Sequence, residues 1–421
     1  MTTPLRPKRY LLVTHIPFVR QEAGAVSVDG LWARDLQGLV QSIGPIRVAA
    51  PELAPDDTHS TWGPSAATLT PEDGVTFAGF PPIRSRRDLF RWISIRSVLR
   101  REVEQADLVH TSNFFSPYVG LSYAHDVAVA SGRKTLFVIA EDFQDMLQWE
   151  WVRNSKGDFE RWRRQRTLDS LERRVVKSAR TASLSFLHTP AAVTRYRLET
   201  NKGLAVRQPG HELEDVIKEA ELAQRCAAMQ AGGPLIVIAA CRHKALKGID
   251  FLIGAVAILA GQGVRVEARV YGEGPLTTQW QSLATRLGVA DRVQLPGSLD
   301  PGPAVYDAIK QGHVFAMPHR TTDFGRAFYD AMAGGTPVVA FRNPASLDTL
   351  RDEVDGFLAP PDDVEGLAAV LRRLDANRGL LAAASYEARD RALANTRSQW
   401  YRLRAGWIQA LFDVQPGGGR P

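Results

Sequence analysis

Apolar residues along this chain come in short runs separated by longer stretches with helical spacing. Residues 10–14 open with a buried-strand signal, Tyr-Leu-Leu-Val before Thr14. Residues 28–42 follow with Leu31, Leu36 and Leu39 at helical intervals, and 46–50 return to a strand run. Runs at 108–110 and 136–140 flank a helix-like stretch at 120–130. Strands separated by helices predict a parallel sheet covered on both faces. The alternation halts between Ala191 and Gly233. There Arg207-Gln208-Pro209-Gly210 reads as a turn or linker, 212–229 as a polar helix, and Gly232-Gly233-Pro234 as a breaker. It restarts with strand 235–240, helix 249–260, strand 264–271, helix 276–287 and strand 293–295. Strand 314–317, helix 326–333 and strand 337–341 continue it, and 364–412 is mostly helical. The expectation is an α/β chain with two successive doubly wound domains, over 1–210 and 211–395, and a terminal segment, 396–421.

Composition supports two cores: 421 residues, 44% hydrophobic and 23% charged. That excludes a mainly disordered chain, a collagen and a small disulfide-stapled scaffold. The net charge of +6 suits an anionic partner, such as a nucleotide, a phospholipid surface or nucleic acid, without choosing among them. The two cysteines, Cys226 and Cys241, fit a reducing compartment. Thr14, His15 and Pro17 interrupt the first apolar run too early for a signal peptide, and no run approaches the ~18 apolar residues of a membrane span. A cytoplasmic protein is expected, touching a membrane only from its inner face.

Three stretches carry candidate chemistry. Arg242, Lys244 and Lys247 lie between a predicted strand and a predicted helix, at the sheet edge where ligands of such folds bind. Three cations and a helix start make an anion site; the bland reading is a solvated basic loop. Thr322-Asp323-Phe324-Gly325-Arg326 leads into a helix carrying Asp330, where a carboxylate can accept from ribose hydroxyls or simply favour the helix dipole. From Arg84 to Arg101, Leu89, Trp92, Ile93, Arg96 and Leu99 follow helical spacing among arginines. Such a helix either packs its stripe on the sheet or lies in an anionic membrane surface. The positive charge sits in a ligand loop and amphipathic helices without a nucleic-acid module, so nucleic acid is not an expected partner.

Together these segments resemble the C-terminal half of family 4 retaining glycosyltransferases. Arg242 and Lys247 match the spacing of a Gly-Arg-x4-Lys-Gly pattern. Gly272-Glu273-Gly274-Pro275, Asp291-Arg292-Val293-Gln294-Leu295-Pro296-Gly297, Pro318-His319-Arg320, and Ala331-Met332-Ala333-Gly334-Gly335-Thr336-Pro337-Val338-Val339-Ala340 follow in family order, and the resemblance runs from Leu235 to Leu374. It implies the GT-B fold, two Rossmann-like domains facing across a cleft, with the last helix crossing back to the N-terminal domain. It implies a nucleotide-sugar donor, UDP-sugar favoured over GDP- and ADP-sugars, a polysaccharide or lipid-linked acceptor, and no metal or other cofactor.

By position, the resemblance assigns the diphosphate to Arg242 and Lys247, the phosphate-facing backbone to Gly325 and Arg326, the ribose to Asp330, and the base edge to Arg292 and Leu295. Thr322, Asp323 and Phe324 complete the donor loop. The family's first Glu falls on Thr322, with Asp323 one position later; the second Glu is the shorter Asp330, and Cys241 replaces a Gly. In the N-terminal half, Glu141 and Asp142 fall where the family has a His-Asp pair. They are candidates for hydrogen-bonding a sugar hydroxyl or the acceptor hydroxyl, or N-caps of the next helix. Asp29 and Gly30 are the candidate acceptor residues of the loop after the first strand. A nucleotide-sugar epimerase or phosphorylase on the same fold, and a catalytically silent nucleotide-sugar-binding protein, are the alternative readings.

Overall fold

The computed structural model describes residues 9–57, 66–84, 86–112, 119–139, 143–199, 201–300, 302–321 and 326–413. Two compact units divide the chain. The first comprises Met1–Glu141, Trp162–Val206 and Trp400–Pro421; the second comprises Asp142–Arg161 and Arg207–Gln399.

The first unit opens with β1 (Tyr10–Val13), β2 (Phe18–Arg20), β3 (Val26–Asp29), α1 (Gly30–Ile43), β4 (Ile46–Leu53), β5 (Ala66–Leu69) and β6 (Val75–Phe80). It continues with α2 (Trp92–Gln105), β7 (Leu108–Ser112), α3 (Val119–Ala130) and β8 (Lys134–Ile139). Next in the chain are α4 (Phe143–Leu147), a π-helical turn over Gln148–Val152, and α5 (Asp158–Thr181). Then come β9 (Leu184–Leu187), α6 (Pro190–Arg195) and β10 (Gly203–Ala205).

Strands β6, β4, β1, β7, β8, β9 and β10 lie side by side and parallel. Later strands add to β1 on one side through β4 and β6, and on the other through β7 to β10. The strand order therefore reverses beside β1, where doubly wound sheets open a crevice. Alternation in β1 explains its unbroken apolar run. Tyr10 and Leu12 enter a core with α1 and residues 400–412, whereas Leu11 and Val13 enter another with α2 and α3.

Two local features differ from the sequence expectation. The chain after the first strand, expected to be a loop leading into a helix from 28, forms over residues 18–29 a β2–β3 hairpin that pairs with the end of β4 and with β5. Buried Val26 and Val28 alternate with Ser27, a strand period inside a polar segment. The basic helix starts at Trp92, after a 3-10 turn over Arg86–Arg91. Its Ile95, Leu99 and Val103 are buried, while Phe90 and Ile93 remain 74% and 81% exposed.

The second unit contains α7 (Glu219–Gln230), β11 (Leu235–Ala240), α8 (Ile249–Gly261), β12 (Val266–Tyr271), α9 (Thr277–Arg286), β13 (Val293–Gly297), α10 (Pro303–Lys310) and β14 (Val314–Met317). It continues with α11 (Arg326–Ala333), β15 (Val338–Phe341), α12 (Pro344–Thr349), β16 (Gly356–Ala359), α13 (Val364–Ala376) and α14 (Arg378–Leu393). From Trp400 onward the last helix, α15 (Arg397–Asp413), belongs to the first unit, where Trp400, Trp407 and Phe412 join that unit's core.

Its sheet is parallel throughout, in the order β13-β12-β11-β14-β15-β16. Leu235, Val237 and Ala239 of β11 enter a core with α8 and α13, and Ile238 enters one with α10, α11 and α14. The strand order reverses between β11 and β14, which aims the loops after those strands at one crevice. The helix expected from 212 begins only at Glu219, because the preceding chain is anchored by other bonds. Ile217 donates its N–H to Ala333 O at 2.8 Å, and Glu212 accepts from Arg397 Nε at 2.9 Å. Among the described residues no helix is long and apolar enough to cross a membrane.

Candidate active site

The loop after β11 carries exposed Arg242 and half-buried Lys244 and Lys247. Buried His243 fixes it from behind. Its N–H donates to Glu273 O at 2.9 Å, its carbonyl accepts from Leu276 N at 3.1 Å, and its Nδ1 lies 2.8 Å from Thr277 Oγ1. Burial holds this imidazole below its ordinary pKa, so it is a neutral spacer between cations. The Gly272-Glu273-Gly274 turn packs directly on it. Gly272 has φ +116°, and a Cβ there would sit 2.0 Å from Cys241 O. Burial pushes the Cys241 thiol up to about 11, opposed by the nearby charge of Lys247.

The same loop is tied across the crevice to the loop after β14. Gly248, with φ +65°, ends a 3-10 turn over Ala245–Lys247, and a Cβ there would meet Pro318 O at 1.8 Å. Arg320 donates its backbone N–H to Leu246 O at 2.9 Å. Its guanidinium reaches Ala245 O at 2.6 Å and grips both oxygens of Asp250, in the first turn of α8, at 2.9 and 2.5 Å. It also lies over the Phe251 ring at 4.4 Å and the Trp149 ring at 5.7 Å. Glu150, next to Trp149, is 3.7 Å from Lys244 Nζ. The π-helical turn therefore braces the basic loop at Lys244.

Asp330 lies on α11 with its carboxyl turned inward. Tyr306 Oη donates to Oδ1 at 3.3 Å, and the Gly210 N–H also reaches the carboxylate. Burial raises the Asp330 pKa, opposed by the charges of His211 and Arg326. The Tyr306 phenol is pushed up by its own burial first and by Asp330 second. At the other end of α11, Arg225 donates to Gly334 O at 2.8 Å and Lys310 O at 3.0 Å, and also to Gly335 O. These are carbonyls at helix C-termini, where a cation is favoured. Burial lowers the Arg225 pKa to about 10, which still leaves it charged at neutral pH.

The structure thus brings Arg242 and Lys247 to the crevice between β11 and β14, with Arg326 and Asp330 on the helix that follows β14. Arg292 lies elsewhere. It precedes β13, at the amino edge of the sheet, and its Nη1 donates to Val264 O at 3.1 Å. Leu295 packs half-buried against the core. The carboxyl end of β13 is instead occupied by Gly297, whose carbonyl accepts the Gly272 N–H at 2.8 Å. Asp29 caps α1, its Oδ1 accepting from Trp32 N at 3.0 Å, with Gly30 the first helical residue. Glu141, Asp142, Thr322, Asp323, Phe324 and Gly325 lie outside the described residues. Sequence reasoning missed Arg320, Trp149 and Glu150 as supports of the loop, because their partners are remote in sequence.

Residues 233–377 match the family described as glycosyl transferases, group 1. The amylovoran biosynthesis glycosyltransferase AmsK of Erwinia amylovora is 31% identical over 147 residues, 34% of this chain and 36% of its own length. The 2-deoxystreptamine glucosyltransferase of Streptomyces kanamyceticus is 32% identical over 156 residues, 36% of this chain and 39% of its own length. The chain therefore spans well under half the length of these curated relatives. HepE of Anabaena, solved in complex with UDP, superposes with a TM-score of 0.68 at 16% identity, over 96% of this chain and 100% of its own. That likeness shows the shared GT-B fold.

Proposed function

We propose, from the premise that residues 233–377 form a group 1 glycosyltransferase domain, that the protein moves a sugar from a nucleotide-sugar donor to an acceptor hydroxyl with retention of configuration. The observation that carries the reading is the convergence of two braced loops at the sheet's switch point, with Arg242 and Lys247 presented there. UDP is the favoured nucleotide, since HepE of similar fold was solved with UDP. Arg242 and Lys247 hold the diphosphate, and Asp330 accepts from the ribose. In the transfer step the acceptor oxygen bonds to the anomeric carbon on the face the nucleotide leaves. The carbon–phosphate oxygen bond breaks, its electron pair goes to the diphosphate, and the acceptor proton passes to that phosphate. Charge grows on the leaving diphosphate, so two fixed cations favour the transition state by several kcal/mol in comparable sites. This donor set supplies the positive charge from side chains and calls for no metal ion.

A saccharide acceptor is supported by the name of AmsK, a glycosyltransferase of amylovoran biosynthesis. Peripheral contact with an anionic membrane is supported by Phe90 and Ile93, exposed beside Arg91, Arg96 and Arg100. The test is a donor panel of UDP-, GDP- and ADP-sugars, with EDTA present, followed by NMR of the anomeric proton. Retained configuration in the product supports the reading. Tight donor binding with no turnover on any acceptor would favour a silent binding protein, the consequence of Thr322 standing where the family's first Glu is.

A further inference from the structure

At the carboxyl edge of the first unit's sheet a cavity of about 210 Å³ lies between the ends of β1, β4 and β6 and the helices α2 and α3. Its walls are Pro17, Pro51, Pro82, Ile83, Trp92 and Leu121, among others. The polar groups at its rim are already engaged. Thr14 Oγ1 accepts from Ile16 N at 3.2 Å, and the Thr14 N–H donates to Ala49 O at 3.0 Å. The Arg84 guanidinium pairs with Asp57. Burial holds His15 below its ordinary pKa, which keeps the imidazole neutral near pH 7. No carboxylate lines the cavity among the described residues.

A sugar ring needs many donors and acceptors around it, and a cavity of this kind offers few. It offers rigid proline faces and an indole, which order at little entropic cost. Its size is somewhat above that of a dry cavity of about 150 Å³ that takes benzene. We infer that this cavity is a binding site for an apolar group, one ring or a short chain, and that it holds the apolar portion of the acceptor beside the sugar that is extended. The acceptor assignment rests on the glycosyl-transfer reading, whereas the ligand class rests on the walls.

The test is saturation-transfer NMR on the full chain with toluene, indole and n-hexanol, and glucose as the control. At least one apolar probe should bind saturably and glucose should not. Preference for indole or toluene points to an aromatic aglycone, and preference for n-hexanol to a lipid chain. Ile83 sits half-exposed on the loop after β6. Ile83→Trp, which fills the cavity, and Ile83→Asp, which charges it, should each weaken probe binding about tenfold or more. Leu287→Ser, at an exposed position just after α9 in the second unit, should leave it unchanged. Absence of saturable binding by all three probes, or binding untouched by both Ile83 variants, would overturn the inference. The assay contains no donor, so it is independent of the transferase reading. Probe binding in a protein that no nucleotide stabilises would leave the ligand class standing and remove the acceptor assignment.

Discussion

Replacing Arg320 with alanine should loosen the basic loop without changing Arg242 or Lys247. The guanidinium makes a bidentate contact to Asp250, a bond to Ala245 O and a stack on Phe251, with its own side chain 17% exposed and that of Asp250 35% exposed. Solvent at Asp250 places the ion pair between the surface and buried limits, about 1–2 kcal/mol. The carbonyl contact and the stack each contribute about 1 kcal/mol. These terms share one side chain and are not fully additive, so the loss is about 2–3 kcal/mol. In a unit of this size that lowers the melting temperature by roughly 4–12 °C. Because the Arg320 N–H and guanidinium hold the 3-10 turn that bears Lys247, UDP binding should weaken about tenfold, equivalent to about 1.4 kcal/mol. Arg320→Lys keeps the charge but loses the planar fork, and should fall between wild type and Arg320→Ala on both measures. Differential scanning fluorimetry with and without UDP reads both effects. An Arg320→Ala protein that melts within about 1 °C of wild type and binds UDP equally well would refute the reasoning.

Other consequences follow from the same geometry. Gly248→Ala puts a Cβ against Pro318 O at positive φ and should cost at least about 2 kcal/mol, seen as a lowered chemical-denaturation midpoint. His125 is buried between Thr111 and Thr181, and burial lowers its pKa to about 4 from 6.5. Its folded pKa is depressed, so its stability contribution is complete above pH 6.5 and is lost as pH falls toward 4. That loss amounts to about 3 kcal/mol, and His125→Gln should flatten this segment of the stability–pH curve, read by urea unfolding at several pH values. Asp330→Asn should reduce nucleotide affinity and narrow the preference for UDP over 2′-deoxy-UDP, measured by calorimetry; an unchanged preference would remove the ribose role.

Much of the second unit was legible because its strands are covered on both faces and its helices follow at short intervals. β11 and α8 stand out for that reason, and the spacing of Arg242, Lys247 and Asp330 marked the loop and helix of the crevice. β9 was missed: its central Ser185 interrupts the apolar pattern, yet it is buried because its Oγ donates to Ala179 O at 2.8 Å. The Phe18–Asp29 hairpin was missed because its strand period is hidden among polar residues. Arg292 looked like part of a base-binding edge by order in the chain, but order does not reveal which end of a strand a residue occupies. The bracing of the basic loop was not legible at all. Arg320 meets Asp250 far back in the sequence, and Trp149 and Glu150 come from the first half of the chain. Such supports emerge only when the fold brings remote segments together.

The central claim is that the second unit binds a nucleoside diphosphate through Lys247. Thermal unfolding of wild type and Lys247→Ala against UDP, GDP and ADP, with EDTA present, tests it most directly. Nucleotide at about 100 times its Kd should stabilise wild type by about 2.7 kcal/mol, for one base above the others, and Lys247→Ala should lose most of that shift while melting normally without ligand. Equal stabilisation of both proteins, or no response of wild type to any of the three nucleotides, would contradict the account.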